Sequence, residues 1–177
     1  MNEKVLRTLE FDKIIQMLTS FASSEGGRNL CLNLVPDTDL FMIQERQVHT
    51  QDAFSRLLRR GNISFTGIYD IQASLKRLEI GGVLNATELL RVLSILKVAK
   101  RVKSYGRTER GEEIVDSLAP MFDALEPISN LAIEIERCII TENEIADDAS
   151  PGLRGVRRSI HSLNEKIRSQ MNAMLNS

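Results

Sequence analysis

The sequence predicts an all-α protein, a helical bundle with a long C-terminal helix that projects from it and a candidate β-hairpin near residues 138–145. Three observations lead to this fold class. Apolar residues recur three or four positions apart through most of the chain, which places them on one face of a helix. Glycine and proline interrupt this pattern, as they do between helices. The closing stretch SIHSLNEKIRSQMNAMLNS keeps the helical spacing up to the end of the sequence.

Two helices are predicted at the N-terminal end. Apolar spacing predicts a helix over residues 5–22, and a division of this helix at residues 11–12 is an open alternative. The Gly26–Gly27 pair breaks the pattern, and a short helix comes after it. Pro36 ends this region, because proline cannot continue a helix.

Two further helices are predicted between residues 37 and 82. The longer one begins at the capping residues 37–39 and ends at Gly61. A loop comes next, and Asp70 can cap the helix after it. The Gly81–Gly82 doublet ends that helix, because glycine adopts a left-handed turn at no steric cost.

The second half of the chain contains the strongest helical patterns. A helix is predicted over residues 87–106, and two shorter helices punctuated by prolines over residues 112–138. Two β-branched runs around residues 141–144 could form the hairpin. The last helix has a marked start, because Ser150 can cap it and Pro151 fits its first turn.

The composition excludes several classes of protein. The chain has 177 residues, 23 basic and 24 acidic, so no global field attracts nucleic acid, membranes or acidic substrates. The two cysteines, Cys31 and Cys138, cannot form a zinc cluster and predict a reduced intracellular protein. The N-terminus has no apolar run long enough for a signal peptide or a membrane span. We therefore expect a cytoplasmic protein without a membrane partner.

No residue pattern indicates catalysis, cofactor binding or metal binding. The stretch GRTERG at residues 106–111 has the gap of a phosphate-binding loop, but Glu112 and Glu113 stand where lysine and a hydroxyl are required. A turn is the better interpretation. His49 and His161 have no second ligand at metal-binding spacing, so we interpret both as surface or structural residues.

Two groups of basic residues are candidates for contacts with a phosphate backbone. The first lies at the end of the helix over residues 87–106, where the helix dipole favours each cation by about 0.3–1 kcal/mol. We prefer that explanation over phosphate binding by about two to one. The second lies on the outer face of the last helix, where a solvated surface is the default interpretation. No aromatic residue interleaves with either group, which disfavours base stacking. The candidates are Lys97, Lys100, Arg101, Lys103, Arg154, Arg158 and Arg168, with Arg107 and Arg110 beside the first group.

The last helix also carries an apolar stripe with the alternating three- and four-residue spacing of a coiled coil, interrupted at Gln170. At about 1.5 Å per residue, residues 150–177 would form a helix roughly 42 Å long, so we expect its distal half to project. An exposed apolar stripe favours self-association. The stripe begins at Leu153 and Val156, and the predicted helix-partner contacts are Ile160, Leu163, Ile167, Met171 and Met174.

Four stretches together resemble a known family. They are RTLEFDKII, SEGGRNLCLNLVPDTDL, DIQASLKRLEIGGVLNATELL and SPGLRGVRRSIHSLNEKIRSQMNAML. In this order and spacing they resemble the N-terminal region of the second MutS lineage of bacteria (MutS-two). The resemblance implies a helical core domain over residues 1–149 and, over residues 150–177, the start of a lever helix that the end of the sequence truncates.

The resemblance also implies the activity of the parent protein. It would be a cytoplasmic homodimer in which clamp and ATPase domains of the same chain come after the lever helix. ATP and magnesium would be its cofactors, and an Smr-type domain would make it an endonuclease. The family is linked to branched-DNA binding, suppression of homologous recombination, ribosomal RNA and the rescue of collided ribosomes. Its nucleotide-binding and nuclease residues would all lie outside these 177 residues, so this region would not itself be an enzyme.

A second hypothesis comes from a different functional class. The chain could be a free-standing helical adaptor that dimerises through its C-terminal coiled-coil helix. A returning helix and a phosphate-binding loop downstream in the gene would favour the first hypothesis. A stop codon after Ser177 would favour the adaptor.

Overall fold

The computed structural model describes residues 3–107 and 114–175, and within these ranges it contains nine helices and one two-stranded sheet. The predicted all-α class, the long last helix and the hairpin are therefore confirmed. In chain order the elements are α1 (Glu3–Thr8), α2 (Phe11–Phe21), α3 (Glu25–Leu32), α4 (Leu40–Arg60), α5 (Gln72–Glu79), α6 (Ala86–Tyr105), α7 (Ala119–Asp123), α8 (Ser129–Cys138), β1 (Ile139–Thr141), β2 (Glu144–Ile145) and α9 (Pro151–Leu175).

The N-terminal helices differ from their predicted boundaries in two places. The helix predicted over residues 5–22 is divided, because Glu10 adopts a left-handed conformation with φ of 51° between α1 and α2. Helix α3 begins at Glu25, so Gly26 and Gly27 lie in its first turn and do not separate it from α2. The side chain of Ser24 explains this start, since its hydroxyl accepts a hydrogen bond from the Gly27 amide at 3.1 Å.

Helix α6 begins with a capping box formed by Asn85 and Glu88. The Asn85 side chain accepts a hydrogen bond from the Glu88 amide at 2.9 Å, and the Glu88 carboxylate accepts one from the Asn85 amide at 2.9 Å. Arg77 of α5 pairs with the same carboxylate, and the Ser74 hydroxyl donates to it at 3.0 Å. The Arg77 hydrogen bond is the main reason why the pKa of Glu88 is lowered from 4.5 to about 2. Glu88 thus joins α5 to the start of α6.

The small apolar core lies where α6 packs against α8 and β1. Leu93, Ile135 and Ile139 are its buried residues, and apolar side chains of α6 and α8 surround them. The loop before α5 also contacts α6, where the Ser94 hydroxyl donates to the Gly67 carbonyl at 2.8 Å. Gly67 has φ of 98°, a conformation that favours glycine.

The predicted elements near the C-terminus are present with adjusted lengths. Strands β1 and β2 pair antiparallel. Of the two helices predicted over residues 112–138, the first is the five-residue α7, and residues 112–113 lie outside the described ranges. The Ser150 hydroxyl accepts a hydrogen bond from the Leu153 amide at 3.2 Å, which confirms the predicted cap of α9.

The chain exposes far more surface than a compact protein of its mass. Its accessible surface is 13898 Å² for 19.9 kDa, whereas the scaling for folded monomers gives about 8,700 Å². Much of the excess is apolar, since large side chains of α2, α3, α4 and α9 are exposed. Among the described residues, no helix combines the length and apolar character required to cross a membrane.

Candidate functional site

The first basic group, at the end of α6, is largely engaged by neighbouring parts of the chain. Lys97 pairs with Glu136 of α8, with 2.6 Å between Nζ and Oε1. The Arg101 guanidinium donates to the Ser64 carbonyl at 2.7 Å, and Lys103 donates to the Leu125 carbonyl at 2.7 Å. These contacts attach two loops and α8 to α6, so three of the four cations have a structural role.

Lys100 differs from these three residues. Its ammonium group has no hydrogen-bond or ion-pair partner among residues 3–107 and 114–175. It lies with Lys97 at the edge of a cleft of about 120 Å³, whose apolar lining includes Pro127 and Ile133. Arg107 is exposed beside the group. Arg110 and residues 108–111 of the GRTERG stretch lie outside the described residues.

The second basic group lies in two places along α9. Arg154 and Arg158 line a cleft near the start of the helix, together with His161. Arg154 is 3.5 Å from the Asp148 carboxylate. Arg168 lies further along α9 and is 3.8 Å from Glu165. The structure therefore brings two of the three predicted arginines together and leaves the third apart.

Arg157, which is not among the predicted phosphate contacts, lies in the same cleft. Its guanidinium pairs with Asp147 and donates to the Ile145 carbonyl at 2.8 Å, so it attaches α9 to the hairpin. The i+3 position of Arg157 relative to Arg154 is a signal that could have found it, because residues three apart share a helix face.

The turn between the hairpin and α9 is held from both sides by arginines. From α8, Arg137 donates to the carbonyls of Asp148 and Ala149 at 2.8 and 3.3 Å. From α9, Arg157 makes the contacts to β2 and Asp147 described above. We call residues 146–150 the corner. The Cys138 thiol lies against it, and burial raises the pKa of this thiol.

The predicted apolar stripe of α9 is exposed to solvent. Its members from Val156 to Met171 are between 52 and 59% exposed, and no residue of α9 is buried. Met174, at the distal end, is also exposed. Among the predicted stripe residues, Leu153 alone is half-buried, near the start of the helix. The exposed side chains confirm that the helix projects beyond its first turns. The stripe residues outside the first turn are Val156, Ile160, Leu163, Ile167, Met171 and Met174.

A polar network that no sequence pattern indicated attaches α4 to the segment before α7. Arg56, only 4% exposed, binds Asp116 through two hydrogen bonds of 2.5 and 2.6 Å. Its guanidinium lies over the Phe122 ring, 4.5 Å from the centroid. Asp52, one turn earlier, accepts hydrogen bonds from the amide and hydroxyl of Ser117 at 2.9 and 2.6 Å. The pKa of Asp116 is lowered mainly by Arg56, and that of Asp52 mainly by Ser117.

The network points to a structural role, since each buried polar side-chain atom in it has a hydrogen-bond partner within the chain. The two predicted histidines do not meet: His49 is on α4 and His161 on α9. Within the described ranges, no group of three potential ligands could hold a metal ion. The described residues thus form a helical module with a core at α6, α8 and β1 and a long last helix whose charged and apolar faces are exposed.

Comparison with known proteins assigns this module to a family. No family model matches the chain. It is 51% identical over 176 residues to endonuclease MutS2 of Agathobacter rectalis, an alignment that covers 99% of this chain and 22% of the relative. It is 48% identical to endonuclease MutS2 of Lachnoclostridium phytofermentans and 41% identical to that of Ruminiclostridium cellulolyticum, in each case over the whole chain and 23 or 22% of the relative. The chain is a MutS2 segment. It spans about a fifth of the length of the curated relatives it matches.

Proposed function

We propose that this chain is the non-catalytic N-terminal module of a MutS2-type protein, with a helical core domain over residues 1–149 and the start of a lever helix over residues 150–177. The observation that carries the proposal is the exposure of α9, which leaves its apolar stripe in solvent. A long helix that is anchored at one end and bare at the other can transmit motion between the domains at its two ends.

The surface area supports this assignment. The excess over a compact monomer is on the order of 5,000 Å², about twice what one partner contributes to a large obligate interface. Such an area is expected where a segment normally packs against the remainder of its own chain and a second copy. The clamp and ATPase domains of the parent and a homodimer partner are the proposed occupants.

The activities of the parent protein are part of the proposal. The relatives are named endonuclease MutS2, and we assign endonuclease activity, ATP and magnesium binding to regions of the parent outside this chain. Its proposed setting is the cytoplasm. Its proposed targets are branched DNA and ribosomes, including their RNA, with roles in suppression of homologous recombination and rescue of collided ribosomes.

The test uses the full-length parent protein and a break in the lever helix. Asn164 lies in the middle of α9 and is exposed, so Asn164→Pro interrupts the helix without removing a packed side chain. ATP hydrolysis is measured with and without branched DNA. We expect unchanged basal hydrolysis and loss of the stimulation by DNA, whereas Asn164→Ala should keep both. Stimulation that survives Asn164→Pro would overturn the lever function.

The isolated chain provides a second test. We expect it to hydrolyse no ATP, because its sequence has no lysine-bearing phosphate loop. Hydrolysis that co-purifies with the chain through several columns, and that changes with a substitution in it, would contradict the non-catalytic assignment.

The exposed stripe also favours the second candidate function, a helical adaptor that dimerises through α9. The two functions require different sequences downstream of this segment in the gene. A returning helix and then a phosphate-binding loop support the lever, whereas a stop codon after Ser177 supports the adaptor.

A further inference from the structure

The cleft at the root of α9 is the strongest concentration of positive charge on the projecting helix. Arg154, Arg157, Arg158 and His161 occupy positions i, i+3, i+4 and i+7, which place them on one face of the helix. With Asp147 they line a cleft of about 340 Å³. We call these residues the root cleft.

The charges in the root cleft are only partly compensated within the chain. Arg157 is neutralised by Asp147 and held to the Ile145 carbonyl. Arg154 has a longer contact with Asp148, and both side chains are about half exposed, so this pair contributes little. Arg158 and His161 are exposed, and their side chains have no hydrogen-bond or ion-pair partner among the described residues. The guanidinium of Arg158, and that of the weakly paired Arg154, are therefore available to bind an anion.

The lining of the root cleft indicates an anionic ligand. Three arginines and one histidine line it, against a single aspartate. Arginine binds phosphate through charge and paired hydrogen bonds. Because the proposed targets of the parent are nucleic acids, the ligand we consider is a phosphodiester, and competition by a polycarboxylate tests the alternative.

The root cleft also differs from the other predicted basic positions, among which Lys100 is a single unpaired charge within the described residues. Lys97 at the end of α6 is paired with Glu136, and Arg101 and Lys103 donate to loop carbonyls. Arg168 has Glu165 beside it. Arg154 and Arg158, four residues apart, are separated by about 6 Å along the axis, so one strand of nucleic acid can reach both.

We propose that the root cleft is a phosphodiester-binding site, in which Arg154 and Arg158 contact the backbone of DNA or RNA while Arg157 positions the helix against the hairpin. This proposal rests on the proposed function, because it assumes that the parent binds nucleic acid and assigns the lever module a direct contact with it. It requires no base-specific contact, and its binding should depend on salt and not on sequence.

The experiment measures fluorescence anisotropy of labelled duplex DNA and of a labelled RNA hairpin as this chain is added, over a series of salt concentrations. The test variant is Arg154→Gln/Arg158→Gln. The matched control is Lys166→Gln/Arg168→Gln, which removes the same charge from the same helix beyond the cleft. All four positions are exposed, and circular dichroism should confirm that both variants keep the helix.

We expect the test variant to weaken binding by on the order of tenfold and to lower the slope of log affinity against log salt by about two. The control should change either quantity much less. An equal loss of affinity in both variants, or no binding of nucleic acid by the unmodified chain, would overturn the proposal that the root cleft binds phosphodiesters. So would competition by polyglutamate as strong as that by unlabelled DNA, because the cleft would then prefer carboxylates. These outcomes leave the lever function intact, since it is measured separately by ATP hydrolysis with Asn164→Pro. The relative affinities of the two probes distinguish DNA from RNA as the source of the phosphodiester.

Discussion

The apolar stripe of α9 predicts that this chain self-associates, with an affinity that can be worked out from its exposed side chains. Five of its residues, Val156, Ile160, Leu163, Ile167 and Met171, are a little more than half exposed. Burying a large apolar side chain completely contributes about 1.5–3 kcal/mol, so covering the exposed half of each contributes about 1 kcal/mol.

Pairing two copies of the helix would therefore gain about 10 kcal/mol from ten side chains. Association costs at least about 4 kcal/mol in lost translational and rotational freedom. The remaining 6 kcal/mol corresponds to a dissociation constant on the order of 50 µM. Introducing charge at Ile160 and Ile167 removes four of the ten contributions, or about 4 kcal/mol, which weakens the dimer roughly a thousandfold.

The assay is multi-angle light scattering between about 10 µM and about 1 mM, a range that brackets this constant. The unmodified chain should change from monomer to dimer across the range, and Ile160→Glu/Ile167→Glu should remain monomeric. Ser162→Glu/Ser169→Glu adds the same charge on the opposite face of α9 and should dimerise like the unmodified chain. A monomer at every concentration would refute the calculation. A dimer that Ile160→Glu/Ile167→Glu leaves intact would place the contact elsewhere, for example on the exposed apolar side chains of α2 to α4.

Three further predictions concern stability, and urea unfolding monitored by circular dichroism checks each of them. Arg56→Met should destabilise the chain by about 3 kcal/mol because it leaves a largely buried carboxylate without its guanidinium. Arg59→Met, at an exposed position of the same helix, should change stability by less than about 0.5 kcal/mol. Gly67→Ala should destabilise the chain by about 1–3 kcal/mol, since φ is 98° and the new Cβ would lie 2.6 Å from a serine hydroxyl. Gly155→Ala, in an open part of α9, should stabilise the helix. If Gly67→Ala were the more stable of the two variants, the predicted strain at Gly67 would be refuted. The pKa of Glu88 is lowered from 4.5 to about 2, so the contribution of its carboxylate to stability is complete above pH 4.5 and is lost as the pH falls towards 2. Glu88→Gln should therefore lower the free energy of unfolding at neutral pH and make it less sensitive to acid. If the pH dependence of unfolding is unchanged in this variant, the ionised capping box is contradicted.

The fold class could be predicted from the sequence because the signals that define helices and their ends lie within short stretches of the chain. Helical periodicity, the Ser150 cap and the Gly81 turn each depend on residues within a few positions, and the structure contains all three features. Boundaries were less certain where two local signals compete. The Gly26–Gly27 pair was interpreted as a break, but the Ser24 cap places both glycines inside α3.

The contacts between elements could not be predicted in the same way. Arg56 and Asp116 are 60 residues apart, and nothing in the spacing of either residue identifies the other as its partner. The basic residues of α6 lie close together in the sequence, but sequence alone could not show that Arg101 and Lys103 bind loop carbonyls. Periodicity identifies which residues share a face, whereas pairing depends on tertiary packing.

The corner at residues 146–150 determines how small movements of the core would appear at the far end of α9. The helix has 25 residues and is therefore roughly 37 Å long. A rotation of about 10° at its root would displace the tip by roughly 6 Å, about one helical turn. Because arginines hold the corner from α8 on one side and from α9 on the other, little of that rotation would be absorbed by bending there. Under the proposed lever function, the length of α9 would therefore set the displacement at its tip, and the stiffness of the five corner residues would set how much of the rotation is transmitted.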